Sequence, residues 1–423
     1  MNIRLTDWAS RWASGKIARG TLAATLWQLV RVGSQALWTI ALARSLGPYG
    51  YGGLAGVAGL ATAIGSLSGV GFGLLMLQDA SRDPSSFSTA WKHAVWAIFL
   101  SGSVFLVAFA FLAPLLVSLS GPGWQFAAIG LPELICFPLT ITASYAFQTR
   151  ERMGFAGAMY ALVPASNLLA ATLYFAFGQT RSLEGYLPWH AGSSVIAALT
   201  GYVLVTSLLR PGKARVSMTR RDAGEALGFS LMRVVDNGLG SLDKTLVLRL
   251  AGAEAAGIYT AAFRLVAVLA LPVTSMAMAA LPRLFRLGEL AEPEGQAFIR
   301  RLTLFALGGG VLALLGVFVL SLALPLLLGQ SFASSAAFAR WLCLFPLFFG
   351  LSSLGCNVLV ASRLRRSRIA AQVAGLVTLT LAMAVSIPAY GLAGAAGSLL
   401  AAHGVIVLTV WWVVHRGRRH ATG

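Results

Sequence analysis

Apolar blocks long enough to cross a bilayer recur along this chain from Thr21 to Val414, separated only by short polar punctuation. A soluble domain has no interior for that much apolar surface, whereas a helix of about 20 apolar residues spans the hydrocarbon core. Twelve such blocks can be drawn, near 21–43, 51–77, 93–119, 125–148, 155–177, 187–209, 226–248, 256–282, 302–328, 336–361, 369–390 and 392–415. Only 11% of the residues are charged and 57% are hydrophobic, against roughly a quarter charged in ordinary soluble domains. Backbone polar groups in lipid must be satisfied within each segment. The expected fold class is therefore all-α, a polytopic membrane protein of about twelve transmembrane helices.

The first 20 residues hold Arg4, Asp7, Arg11, Lys16 and Arg19 and no continuous apolar core, so a cleavable signal peptide is not expected there. Leu5, Trp8 and Trp12 share one helical face beside these cations, which suits a helix lying along the headgroups. Cys136, Cys343 and Cys356 all sit in apolar blocks without CxxC spacing and read as small core hydrophobes. Neither a metal nor a cofactor is expected.

The formal charge of +18 would suggest nucleic acid in a soluble protein, but its placement decides otherwise. With the N-terminus inside, 24 of the 32 Lys and Arg fall on cytoplasmic segments. Arg44, Arg181, Arg249 and Arg340 fall in outside turns, and Arg31, Arg233, Lys244 and Arg264 within the membrane. This asymmetry predicts a bacterial inner-membrane protein with both termini cytoplasmic. The densest basic cluster, 210–221, is placed to meet anionic membrane lipids. Outside turns such as 120–123 and 389–391 leave no room for a catalytic domain, so no enzyme is expected.

The chain also repeats itself. Arg44, Gly47 and Gly52 form R-x-x-G-x-x-x-x-G, and Arg249, Gly252 and Gly257 form it again 205 residues later. Pro114-Leu-Leu is echoed by Pro325-Leu-Leu and Gly185 by Gly391, at offsets of 211 and 206. Repeats of six spans, an even number, share one orientation and are related by an axis along the membrane normal. The expected domains are a segment 1–20, an N-lobe 21–210, a basic linker 211–225, a C-lobe 226–416 and a tail 417–423, with a central cavity between two six-helix lobes.

Residues 42–52, LARSLGPYGYG, resemble the first-loop signature of polysaccharide and O-antigen flippases of the multidrug/oligosaccharidyl-lipid/polysaccharide exporter superfamily. Ser241-Leu-Asp-Lys-Thr-Leu-Val-Leu with Gly252, and residues 256–264 (AGIYTAAFR), are similar to the seventh and eighth helices of that family. Leu281-Pro-Arg-Leu is similar to the segment after them. The resemblance extends over nearly the whole chain. It implies a polyprenyl-pyrophosphate-linked oligosaccharide as cargo, alternating access, H⁺ or Na⁺ as coupling ion, and polysaccharide polymerase machinery as a partner. The related lipid II flippases generally have two further helices, which weighs against peptidoglycan.

An ionisable group at mid-bilayer costs at least about 2.5–3.5 kcal/mol, so each marks a candidate site. In the first span Gln28, Arg31 and Gln35 follow i, i+3, i+7 spacing, a polar stripe. In the seventh, Arg233, Asp236, Gly240, Asp243 and Lys244 share a face, with Asn237 beside them. Arginine offers phosphate a planar fork of donors, which makes Arg31 and Arg233 the leading ligands for the pyrophosphate that the resemblance implies. Gln28, Gln35, Lys244 and Arg264 complete the candidate cavity. Asp236, Asp243 and Glu133 are coupling or ion-pair candidates. The structural alternative pairs Arg31 with Asp236 and lets Arg233 snorkel to the cytoplasm. Asp243 and Arg264 lie equally far from the turn at 253–254 and are expected to form an ion pair. Glu133, between Pro132 and Pro138, suits either protonation or a hydrogen-bonded neutral acid. His403 reads as a packed histidine, and the run 69–73 (GVGFG) as close packing or a bend.

Two other functions compete. An ion-coupled multidrug exporter of the same superfamily would have acidic residues dominating its N-lobe, where only Glu133 lies well inside. A membrane glycosyltransferase or polysaccharide polymerase would carry paired carboxylates or a large outer loop, and neither is visible.

Overall fold

The computed structural model describes residues 16–178, 181–212, 219–287 and 293–422, and every regular element among them is helical. The N-terminal segment expected along the headgroups lies mostly outside this set, as do residues 213–218 of the basic loop. Among the described residues, seven helices are long and apolar enough to cross a membrane, or nine when each of two bent pairs is taken as one span.

Glycine and charge account for the difference from twelve. Helix α1 (Lys16–Gly65) carries the first expected span and the start of the second, and breaks at Gly47, φ 65. The last long helix, Arg365–Thr422, breaks likewise at Gly391, φ 57, and carries the final two. Left-handed backbone is open to glycine at little cost. The 32-residue helix Arg220–Ala251 is absent from the apolar set because its charges remove its hydropathy.

The chain divides into two compact units, Met1–Ser45 with Leu60–Leu116 and Ser120–Val234, and Leu46–Gly59 with Val117–Leu119 and Val235–Gly423. In the first unit the elements after α1 are α2 (Val70–Arg82), α3 (Phe87–Val117), α4 (Gly123–Leu131), α5 (Phe137–Gln148), α6 (Met153–Phe177) and α7 (Leu183–Leu208). Every residue of α5 from Pro138 to Phe147 is buried. A helix that is apolar all round belongs in a core, and α5 packs against α2, α6 and α7. Its buried cluster holds Met76, Trp91, Tyr145, Phe147, Met159 and Val205. A π-turn, Pro132–Cys136, joins it to α4, where Pro132 and Pro138 remove donors from the helical ladder. The run 69–73 is a bend and a close contact together. Gly69 is left-handed at φ 70, and a side chain at Gly71 would lie 1.9 Å from the Ala226 carbonyl oxygen. The Gly71 N–H donates to Ser230 Oγ at 3.2 Å.

Helix α8 (Arg220–Ala251) enters the second unit at Val235. After it come α9 (Ala253–Leu287), α10 (Pro293–Ser321), α11 (Leu324–Leu328), α12 (Ala333–Trp341), α13 (Phe345–Ala361) and α14 (Arg365–Thr422). Helix α13 is the core helix here, packed by α9, α10 and α14. The repeated glycine motif is visible within this unit. Gly47 and Gly252 make the left-handed turns, at φ 65 and 89. A Cβ on Gly52 would lie 1.9 Å from the Ala253 carbonyl oxygen, and one on Gly257 would lie 2.0 Å from that of Pro48. Each motif thus supplies one glycine to turn the chain and one to admit the other motif's backbone.

Candidate functional site

Most candidate charges are tied to neighbours, because an unpaired donor or acceptor at membrane depth is costly. In the first unit, Arg31 is half-buried and its Nε donates to Gln28 Oε1 at 3.1 Å, so two of the three residues of the expected stripe meet. Gln35, half-buried, continues the same helix, and its backbone oxygen accepts from Thr39 Oγ1. Arg233 reaches into the α5 core, where its Nη2 donates to the Tyr145 hydroxyl at 2.5 Å. Tyr145 is 4% exposed, so its ring is enclosed by the core. Tyr160, from α6, has Tyr145, Ser144 and Arg233 as its electrostatic neighbours, and Arg31 in turn has Tyr160. Ser144 is fixed by donating to the Ala156 carbonyl oxygen at 2.8 Å and accepting from Gln148 Nε2. Arg31 and Arg233, 202 positions apart in sequence, thus belong to one unit, with Arg233 held at the Tyr145 phenol. Glu133, on the π-turn, accepts from Thr62 Oγ1 at 3.0 Å.

The second unit holds a buried ion pair. Asp243 is fully buried; Lys244 Nζ lies 2.9 Å from its Oδ1, and the Tyr259 hydroxyl donates to Oδ2 at 2.8 Å. Lys244 also donates to the Gly240 carbonyl oxygen at 2.8 Å and stands 4.0 Å from the Phe263 ring centroid. The partner expected for Asp243 was Arg264. The carboxylate instead meets its own sequence neighbour, because the long lysine stem curls back over one helical turn. Tyr259 from α9 takes the other oxygen. The Arg264 guanidinium carbon stands 5.9 Å from the Tyr51 ring centroid.

His403 packs edge-to-face on Phe345 and Phe349, at centroid distances of 5.0 and 5.5 Å, as a packed histidine would. The Asp236 carboxylate accepts from Arg368 at 3.3 Å and from Gln372 at 2.5 Å. Both belong to α14, so this pair replaces the alternative of Arg31 with Asp236. Arg368 had counted only as a cytoplasmic charge. The tyrosines escaped sequence reasoning because hydroxyls in an apolar block add no charge and no periodicity.

Among the described residues, no group of three or more His, Cys, Asp or Glu is disposed to hold a metal ion. Solved structures share this architecture. A lipid II flippase, MurJ, in an inward closed conformation gives a TM-score of 0.70 at 12% identity, with 94% of this chain and 87% of that chain covered. An inward-facing multidrug resistance transporter of the MATE family gives 0.66 at 14%, covering 94% of each chain. A MOP superfamily transporter from Pyrococcus furiosus gives 0.59 at 14%, covering 95% and 93%. A search of the curated proteins returns no match.

An all-α fold with several helices long and apolar enough to cross a membrane is that of a multi-pass membrane protein, and it is shared with these flippase and exporter structures. Sequence then fixes the family. The model of the polysaccharide biosynthesis protein family matches residues 17–288, more than half of the chain, and the chain belongs to that family.

Proposed function

We propose that this transporter flips a polyprenyl-pyrophosphate-linked oligosaccharide from the cytoplasmic to the outer leaflet by alternating access, for assembly of O-antigen, capsule or exopolysaccharide. One observation carries the reading: Arg233, half-buried in the first unit, is held on the buried Tyr145 phenol, and Arg31 stands in the same unit beside Gln28. A guanidinium fork binds phosphate bidentately, and a low-dielectric setting strengthens each charge-assisted bond. That chemistry suits a pyrophosphate better than an organic cation, and so favours the lipid-linked cargo over the multidrug substrates of the MATE neighbours. The family match supports the same direction.

On this reading the protein resides in the bacterial cytoplasmic membrane with both termini inside, and polysaccharide polymerase machinery takes up the flipped product. Coupling to H⁺ or Na⁺ would act through Glu133 or the Asp243–Lys244 pair. Arg31→Ala and Arg233→Ala should each abolish surface glycan export while leaving the protein in the membrane at near wild-type abundance. Normal export by both variants overturns the assignment.

A further inference from the structure

A groove of about 390 Å³ runs between α6 and α7 in the first unit, with Leu169, Ala170 and Leu173 on one side and Pro188, Gly192 and Ile196 on the other. Small residues open it: a side chain at Gly192 would meet nothing within 4 Å. Its two serines leave the walls apolar, because their hydroxyls are spent elsewhere. Ser166 Oγ donates to the Val163 carbonyl oxygen at 2.9 Å, and Ser193 Oγ donates to Oδ1 of the buried Asn167 at 2.9 Å. Leu169 and Ile196 are exposed at the rim, and both helices are long and apolar enough to cross a membrane. Hydrocarbon rather than water therefore bathes the groove.

Trp189 stands at the head of the groove. Its ring packs on Tyr174 at a centroid distance of 6.3 Å, and Tyr174 is held in turn by donating its hydroxyl to the Ser182 carbonyl oxygen at 3.2 Å. The indole is exposed, and among the described residues nothing accepts from its Nε1. An N–H at the edge of the hydrocarbon calls for an acceptor. At about 1.5 Å per residue, Trp189 lies roughly 9 Å along α7 from its start at Leu183. The interfacial layer on each side of a bilayer is roughly 5–8 Å thick, so the indole meets the level of phospholipid ester carbonyls. Arg181, exposed just before that start, lies at headgroup level and complements a phosphate; the neighbouring Glu184 carboxylate accepts from Gln125 Nε2 at 2.9 Å. We propose that a glycerophospholipid of the membrane occupies this groove, with one acyl chain between α6 and α7, an ester carbonyl accepting from Trp189 Nε1 and the phosphate beside Arg181. An isoprenoid chain would fill the same space but has no ester to meet the indole, which decides between the two. On the orientation predicted from charge the site lies in the outer leaflet, and it is independent of the cargo reading.

Native mass spectrometry of the full chain in detergent, titrated with phosphatidylglycerol or with its diether analogue, tests the site. Gly192→Leu, which fills the groove, should weaken phosphatidylglycerol binding at least about tenfold, the effect of expelling two or more methylenes. Trp189→Phe keeps a ring and deletes the donor, and should weaken it about fivefold, the factor that one neutral hydrogen bond supplies. The diether lipid has no ester carbonyl, so it should bind the wild type as weakly as phosphatidylglycerol binds Trp189→Phe, and Trp189→Phe should weaken it no further. Wild-type affinity in Gly192→Leu, or an equal loss of both lipids in Trp189→Phe, overturns the proposal. So does displacement of phosphatidylglycerol by equimolar farnesyl phosphate, which would give the groove to an isoprenoid chain. A dimer in the wild type that Gly192→Leu dissociates would assign the face to a second copy and overturn it as well. Should Gly192→Leu not fold, Trp189→Phe against the two lipids gives the decision.

Discussion

Asp243 and Lys244 are consecutive in sequence, both withdrawn from the surface, and joined at 2.9 Å. Their surroundings fill nearly every valence: Tyr259 takes one carboxylate oxygen, and Gly240 and the Phe263 face take lysine donors. Removing one charge from such a pair leaves the other uncompensated, a cost of about 3–5 kcal/mol in soluble proteins. Asp243→Asn should therefore lower abundance and thermal stability together with transport. Replacing both, as Asp243→Leu with Lys244→Met, should restore abundance, since an apolar pair of similar volume is often neutral or better. Fluorescence-detected size exclusion before and after heating measures both. If Asp243→Asn is as abundant and stable as wild type, the pair is not architectural. Restored abundance without restored transport would give the charges a part in the transport cycle.

At the scale of elements, the sequence motif R-x-x-G-x-x-x-x-G resolves into two separate demands on glycine. The turn glycines Gly47 and Gly252 have open space around a hypothetical Cβ and differ from other residues only in their left-handed φ. Alanine there should cost about 1–2 kcal/mol, the strain of a left-handed L-residue. At Gly52 and Gly257 the backbone of the other motif occupies the space, at 1.9 and 2.0 Å, so no rotamer change relieves the clash. Gly52→Ala and Gly257→Ala should abolish transport and markedly reduce folded protein. Gly240→Ala, on the same helix as Asp243 with nothing within 4 Å of its Cβ, should be tolerated. Membrane abundance of the five variants tests the ranking, and a wild-type level for Gly52→Ala would refute the close-contact reading.

At the scale of the whole molecule, the placement of lysine and arginine between the spans predicts the orientation. Reporter fusions after Pro211, at residue 288 and at the C-terminus should report cytoplasm, and fusions near Gly121, Ala253 and Ser334 the outside. One inverted pair would break the even-spanned repeat. The sequence alone determined the class of fold, because blocks of apolar residues have only one way to satisfy their backbones in lipid. It also determined the repeated turns and the short list of buried charges, since hydropathy, glycine and charge are local properties. Partners were a different matter. Arg233 meets Tyr145, Asp236 meets Arg368 and Gln372, and Asp243 meets Lys244 and Tyr259. Those choices depend on which helix faces lie against each other and how far a flexible stem can bend, and only the tertiary structure sets them. Hydroxyls inside apolar helices are silent in sequence for the same reason: a phenol among packed side chains becomes an acceptor only when packing brings a guanidinium to it.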